Sequence, residues 1–166
     1  MNEMNIFVTS ECPVECAKNL DDKRVVKMVL ETAQLLSCAI RLNIDETVCD
    51  MYGIYKVTHK NHPSSIWVRE NRANYGWTLK HFKALCQEYT KRYNKRHKCE
   101  DKMEAFSMAS PVFKNEPRTP FANCAANKDL GLSYKHIEDV TQAYQLYLAD
   151  RWETDKKTPT WYGVKR

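Results

Sequence analysis

Glycine and proline are sparse in this chain, at four and six among 166 residues. A turn-rich β-sandwich needs more of both, so the composition favours long elements. Long apolar runs are missing too. Nothing approaches the roughly 18 consecutive apolar residues of a membrane span, and the opening MNEMNIFVTSECP has no apolar core of signal-peptide length. No glycine-rich loop is present to cradle a triphosphate, which argues against an NTPase. The seven cysteines are odd in number and include no CxxC pair. With no leader in view, free thiols in a reducing, cytoplasmic compartment are expected.

One further shortage is local. Between Lys56 and Lys98 the only acids are Glu70 and Glu88, against eleven Lys and Arg residues. The net charge of the chain is +5, and this block carries the excess. Such a face suits a polyanion, because phosphate contacts give affinity independent of base sequence. Trp67, Tyr75, Trp77, Tyr89 and Tyr93 are interleaved with the bases. They either stack on unpaired bases or belong to the core, and the core is the commoner place for aromatics at helical spacing.

What the chain does have is a segment, Leu20 to Leu42, that reads as one amphipathic helix. Val25, Val29, Thr32, Leu36 and Ala39 stack on one face, and Met28, Leu30, Ala33, Leu35 and Ile40 widen it. At about 100° per residue, Arg24, Lys27, Glu31, Gln34 and Cys38 share a sector of roughly 80°. A helix this apolar is mostly buried, so its hydrophilic strip either pairs internally or lines a cleft.

Elsewhere the pattern is coarser. Asn5–Thr9 reads as a short strand or extended arm, and Ser10–Asn19 as a loop or turn of helix. Residues 44–63 read as irregular. A second long helix, capped by Ser64 or Ser65, is predicted to run to about Tyr93, with Lys91–Lys98 as a solvated end. Residues 99–131 read as loop with a short helix over Asp101–Met108. A final helix is predicted from a Ser133 cap to about Trp152, followed by an extended, basic and aromatic tail from Lys156 to Arg166. The expected fold is mainly α: one compact helical domain over residues 1–166, built on three long helices with little or no strand.

Three stretches resemble the phage pyrimidine-dimer DNA glycosylases of the endonuclease V type. Asn5-Ile6-Phe7-Val8-Thr9-Ser10-Glu11 is similar to that family's opening arm. Leu20-Asp21-Asp22-Lys23-Arg24-Val25 through Glu31 is similar to the helix that carries the family's catalytic glutamate, and the alignment puts Glu31 on that position. Pro159-Thr160-Trp161-Tyr162-Gly163 resembles the aromatic C-terminal segment, which lies near the damaged bases. Asn61-His62-Pro63 is a weaker echo. The chain departs from the pattern in an insertion over Cys12–Asn19, in Arg24 where the family has histidine, and in Leu30 and Gln34 where it has bases beside the glutamate. DK-x-VVKM-x-LE-x-AQ is also the core of similar phage proteins, which would place the chain in a bacterial host's cytoplasm.

The resemblance implies cleavage of an N-glycosidic bond in DNA, with no cofactor. Breaking that bond builds positive charge on the sugar, which a carboxylate stabilises while a proton passes to the leaving base. Glu31 would be the catalytic group, and Lys27 and Arg24 would keep it ionised and grip phosphate. Gln34, His62, Arg69, Arg72, Trp161 and Tyr162 would contact phosphate or base. In that family the α-amine of the processed chain attacks C1′; here the amine would be that of Met1, or of Met4 if translation starts there. The rival for Glu31 is an ordinary Lys27–Glu31 helix pair worth about 0.3–0.5 kcal/mol. Cys12 and Cys16 with His59 and His62 offer a permissive zinc spacing, although ordinary thiols and a capping histidine explain the same residues. Two other functions compete: a phage protein that binds or degrades a small nucleotide, and a DNA-binding protein without chemistry.

Overall fold

The computed structural model describes residues 5–161. Seven α-helices lie within them: α1 (Pro13–Asn19), α2 (Asp22–Arg41), α3 (Glu46–Met51), α4 (Pro63–Glu70), α5 (Arg72–Tyr93), α6 (Met103–Ala109) and α7 (Val140–Thr154). The strand content is one antiparallel pair, β1 (Ala126–Asn127) with β2 (Leu132–Ser133), in register Ala126 to Ser133. The mainly helical fold expected from the composition is the fold observed. Among the described residues no helix is long and apolar enough to cross a membrane.

Helix α2 is the central element, packed against α4 and α5. Fourteen of its twenty residues are buried, including the whole stripe from Val25 to Ala39. The core joins Val29 and Leu36 of α2 to Tyr75, Phe82 and Leu85 of α5 and Tyr144 and Leu148 of α7. Each such side chain contributes about 1.5–3 kcal/mol through burial. Trp67, Trp77 and Phe121 pack ring against ring, with centroids 5.0–5.9 Å apart. Trp67, Tyr75, Trp77 and Tyr89 are therefore core residues, not platforms for bases.

Four local expectations are corrected. The second long helix is two helices, broken at Asn71. The Asn71 side chain caps α5 by accepting from the Asn74 N–H at 2.8 Å and donates to the Pro117 carbonyl at 3.1 Å, so the side chain competes successfully with helix continuation. The start of α4 is capped by His62, whose Nδ1 accepts from the Ser64 N–H at 3.1 Å, with Pro63 in the first turn. The last helix starts at Val140 because Asp139 caps it, while Ser133 is held in the strand pair beyond the left-handed Gly131. The region 44–63 contains α3, which Asp45 caps.

The N-terminal segment is an extended arm and not a strand. Asn5 Oδ1 accepts from the N–H groups of Ile6 and Phe7, and its Nδ2 donates to the Cys124 carbonyl. Phe7 is held in left-handed backbone (φ 56°), with its ring stacked on Tyr147 and edge-on to Tyr144. The arm thus lies against α7, which the Gln145 amide reinforces by donating to the Thr9 carbonyl at 2.9 Å. All seven thiols are free.

Candidate active site along the second helix

Asp21 organises the start of α2. Its carboxylate caps the helix, accepts from the Arg24 guanidinium at 3.1 Å and accepts from the Trp152 indole N–H at 2.9 Å. Arg24 reaches on to Asp155 with two prongs, of 2.8 and 3.3 Å. Burial works against the charge on Arg24, but the hydrogen bonds it donates to Asp155 and Asp21, with the charges of those carboxylates, outweigh it and the guanidinium pKa is raised. Where the sequence pattern pointed Arg24 toward phosphate, the structure shows it engaged with Asp21 and Asp155. Both of its terminal nitrogens are held by protein carboxylates, and its main work is to tie the end of α7 to the start of α2.

Asp22 anchors the opposite side. Arg92 donates to it at 3.1 Å and to the carbonyls of Leu20 and Lys18, while the Asp22 N–H donates to the Thr160 carbonyl at 2.7 Å. Arg92, counted by sequence among the bases of the wet face, is thus spent inside the protein. The tail continues to Trp161, whose indole N–H donates to the Asn19 carbonyl at 3.0 Å and whose ring meets Trp152 edge-on at 5.0 Å. Trp161 sits at the entry to α2. Glu31 lies nine residues beyond Asp22, about 13 Å along the axis. Tyr162 lies outside the described residues.

Between these anchors a cleft of about 200 Å³ opens beside the stripe. Lys23, Arg24 and Lys27 of α2 form one wall, with Tyr147, Arg151 and Asp155 opposite. Asn5 and Phe7 of the arm and Asn127 of β1 complete it.

Glu31 lies one turn beyond Lys27. Both carboxylate oxygens are buried, and neither receives a hydrogen bond among the described residues. Its ion-pair partner is Lys27, with Nζ at 3.6 Å and a side chain that is half exposed. Burial raises the Glu31 pKa above its ordinary 4.5, and Lys27 pulls against that shift. The cleft wall contains Lys27 but not Glu31, so Lys27 links the two. Gln34, the next member of the stripe, is half-buried.

The far end of the stripe is different. Cys38 is fully buried, and desolvation raises its pKa against the pull of Arg69 and a hydrogen bond with the Thr58 backbone. Arg69 also donates to the Lys60 carbonyl at 2.6 Å, so it does meet the stripe, though away from Glu31. Burial, then the nearby His59 and Lys135, lower the His62 pKa, and its Nδ1 is engaged as a helix cap. Arg72 donates to the Pro111 carbonyl at 3.1 Å and fastens the start of α5 to the segment after α6. Cys12, Cys16, His59 and His62 do not assemble: the described residues contain no group of three or more His, Cys, Asp or Glu able to hold a metal.

Sequence reasoning missed the opposing wall. Tyr147 and Arg151 are four apart on one face of α7, and Asp155 caps its C-terminal end just beyond them. That periodicity was legible, but nothing in it says which helix the face meets.

A family model described as pyrimidine dimer DNA glycosylase matches residues 4–101. No curated protein and no solved structure matches the chain. The matched stretch takes in the arm, the capped helix and its buried carboxylate, and stops well short of α7. Because the match covers more than half of the chain, this protein belongs to the pyrimidine dimer DNA glycosylase family.

Proposed function

We propose that the protein is an N-glycosidase acting on a damaged or modified pyrimidine in DNA, with Glu31 as its catalytic carboxylate. The observation that carries this reading is the state of Glu31: a buried carboxylate with one lysine beside it and no hydrogen bond among the described residues. Leaving a buried acceptor unsatisfied costs about 1–3 kcal/mol. An amide or an apolar side chain would serve a purely structural role at less cost. Such a group suits chemistry in which it stabilises positive charge on the sugar or exchanges a proton with the leaving base.

Lys27 lies between the cleft and the carboxylate. Its charge opposes the rise that burial imposes on the Glu31 pKa, and its movement toward a phosphate would uncover the oxygens as substrate enters. Hydrolysis then adds the elements of water across the bond between C1′ and the base nitrogen: hydroxyl to the sugar, proton to the base. Gln34 follows Glu31 on the stripe and Arg69 of α4 meets its far end at Cys38; both serve as secondary contacts. Family membership supports DNA as the substrate class. An amine nucleophile would lie outside the described residues.

One observation favours a second reading. The Glu31 oxygens are covered and do not line the cleft, as expected of a DNA-binding relative without chemistry. Incubation with irradiated and unirradiated duplex, with borohydride present, separates the two. Release of a base by the wild type and its loss in Glu31→Gln support the glycosidase. A trapped protein–DNA adduct adds the strand-cleaving lyase step. Equal binding by both proteins with no release would leave only the binder.

A further inference from the structure

Met51, Met108 and Tyr52 are the most exposed large apolar side chains of the described residues, at 77, 60 and 52%. Tyr52 and Met108 line one groove, between α3 and α6, and Met51 precedes Tyr52 at the end of α3. Val48, Ile40, Ile44 and Ile54 also line the groove, which encloses about 230 Å³. No lining side chain is charged. Single exposed apolar residues are ordinary, but a continuous patch around a cavity marks an interaction site. Ile40 lies nine residues beyond Glu31 on α2, which at about 100° per residue is the opposite side of that helix. The groove and the candidate active site therefore face away from each other.

The rim decides the kind of occupant. Asp45 and Glu46 stand at the start of α3 and Glu104 in the first turn of α6, all three exposed. Asp45 is three residues before Val48 and Glu104 four before Met108, so both acids lie on the faces that line the groove. The nearby cations are engaged: Arg41 and Lys56 with Asp50, at 2.8 and 3.2 Å, and Lys102 with the Gly53 carbonyl at 2.6 Å. The edge is thus negative on a chain whose net charge is +5. An isologous dimer would set these acids against their own copies, and an anionic membrane or nucleic acid would be repelled. The cavity is smaller than the roughly 300–1,000 Å³ of small-molecule sites and fits one large side chain better than a whole ligand. We propose that the groove receives a cationic amphipathic helix from a protein partner. One large apolar side chain fills the cavity, and lysines or arginines meet Asp45, Glu46 and Glu104. In this mode of recognition the apolar anchor supplies affinity and the charged rim selects the partner. Because the groove faces away from Glu31, the partner and a DNA substrate are held at the same time.

The test is a fluorescence-anisotropy titration of the full chain into three labelled helical peptides of about 18 residues. The first has leucine on one face and lysine on the other, the second has glutamate for lysine, and the third has serine for leucine. Saturable one-to-one binding is expected for the leucine–lysine peptide alone, with the methyl resonances of Met51 and Met108 shifting as it binds. Met108→Ala should weaken that binding about five- to tenfold, and Glu104→Lys by a similar factor that shrinks as salt is raised. Both side chains are exposed, so both variants fold, and duplex affinity and base release stay as in the wild type. Equal binding of the serine-faced or the glutamate peptide overturns the inference. So does an absence of saturable binding up to about 0.1 mM, or methyl shifts that spare Met51 and Met108. A concentration-dependent dimer in sedimentation, lost in Met51→Glu, would assign the patch to a second copy and overturn the separate partner.

Discussion

Arg24 and Asp155, 131 residues apart, form a two-pronged ion pair of 2.8 and 3.3 Å that closes the end of α7 onto the start of α2. Asp21 completes it from the helix cap. The pair places the cation-bearing face of α7 opposite Lys23 and Lys27, and so creates the cleft. Removing one partner of a buried pair leaves the others uncompensated, at a cost of about 3–5 kcal/mol. Arg24→Gln should lose about 3 kcal/mol of stability in urea unfolding, because Asp21 and Asp155 then face each other without their cation. A loss below about 0.5 kcal/mol would mean that the pair does not hold α7.

Glu31→Gln should abolish base release, by about 10²–10⁴-fold, without lowering stability. The pH dependence has a definite sign. Burial raises the folded-state pKa of Glu31 above 4.5, so over the interval between the unfolded and folded values the native state holds a proton that the unfolded state has released. Stability falls as pH rises through that interval, and the deficit persists above it. Glu31→Gln should thus match the wild type near pH 4 and equal or exceed it at pH 7. Urea midpoints at the two pH values check this, and a variant less stable at pH 7 would assign Glu31 a structural role.

Lys27→Met should separate electrostatics from packing. Lys27 lowers the Glu31 pKa, and its own side chain is half exposed. Its loss should cost less than about 0.5 kcal/mol of stability, while the acidic limb of kcat moves to higher pH. A stationary limb would show that the titrating group in catalysis is not Glu31.

His81 should contribute to acid sensitivity. It is fully buried, stacked on Trp77, and burial lowers its pKa to about 4, against the opposing effect of a hydrogen bond with the Pro13 carbonyl. Between pH 6.5 and about 4 the unfolded state binds a proton that the native state does not. Stability therefore falls as pH drops through this window, by about 3 kcal/mol in all. His81→Leu should flatten that part of the stability–pH curve; a curve as steep as the wild type's would place the acid sensitivity elsewhere.

Trp161→Ala tests the tail. Its indole is bonded to Asn19 and packed on Trp152, beside the N-terminal end of α2, whereas Glu31 lies about 13 Å along that helix from Asp22. A loss of about 1–2 kcal/mol of stability, with KM for DNA changed less than about threefold, is expected of an anchor. A large KM effect with unchanged stability would instead mean that Trp161 stacks on the substrate.

Helical class, the burial of α2 and the alignment of Glu31 with Lys27 were all legible in the chain itself. Local periodicity and capping chemistry govern them, and both act within a few residues. The break at Asn71 was readable in principle, but a capping side chain and a mid-helix one look alike until the Pro117 carbonyl arrives to bind it. The cleft was not legible. It depends on Arg24 meeting Asp155 and on Phe7 lying across Tyr147, contacts between segments more than 130 residues apart. Spacing along the chain carries no information about such meetings. Sequence alone thus determined which helix carries the buried carboxylate and which residues share its face. Only the tertiary structure showed that Arg24 meets Asp21 and Asp155, that the Trp161 indole bonds Asn19 and that Arg151 lines the same cleft as the lysines, because long-range packing chooses the partners that local periodicity leaves open.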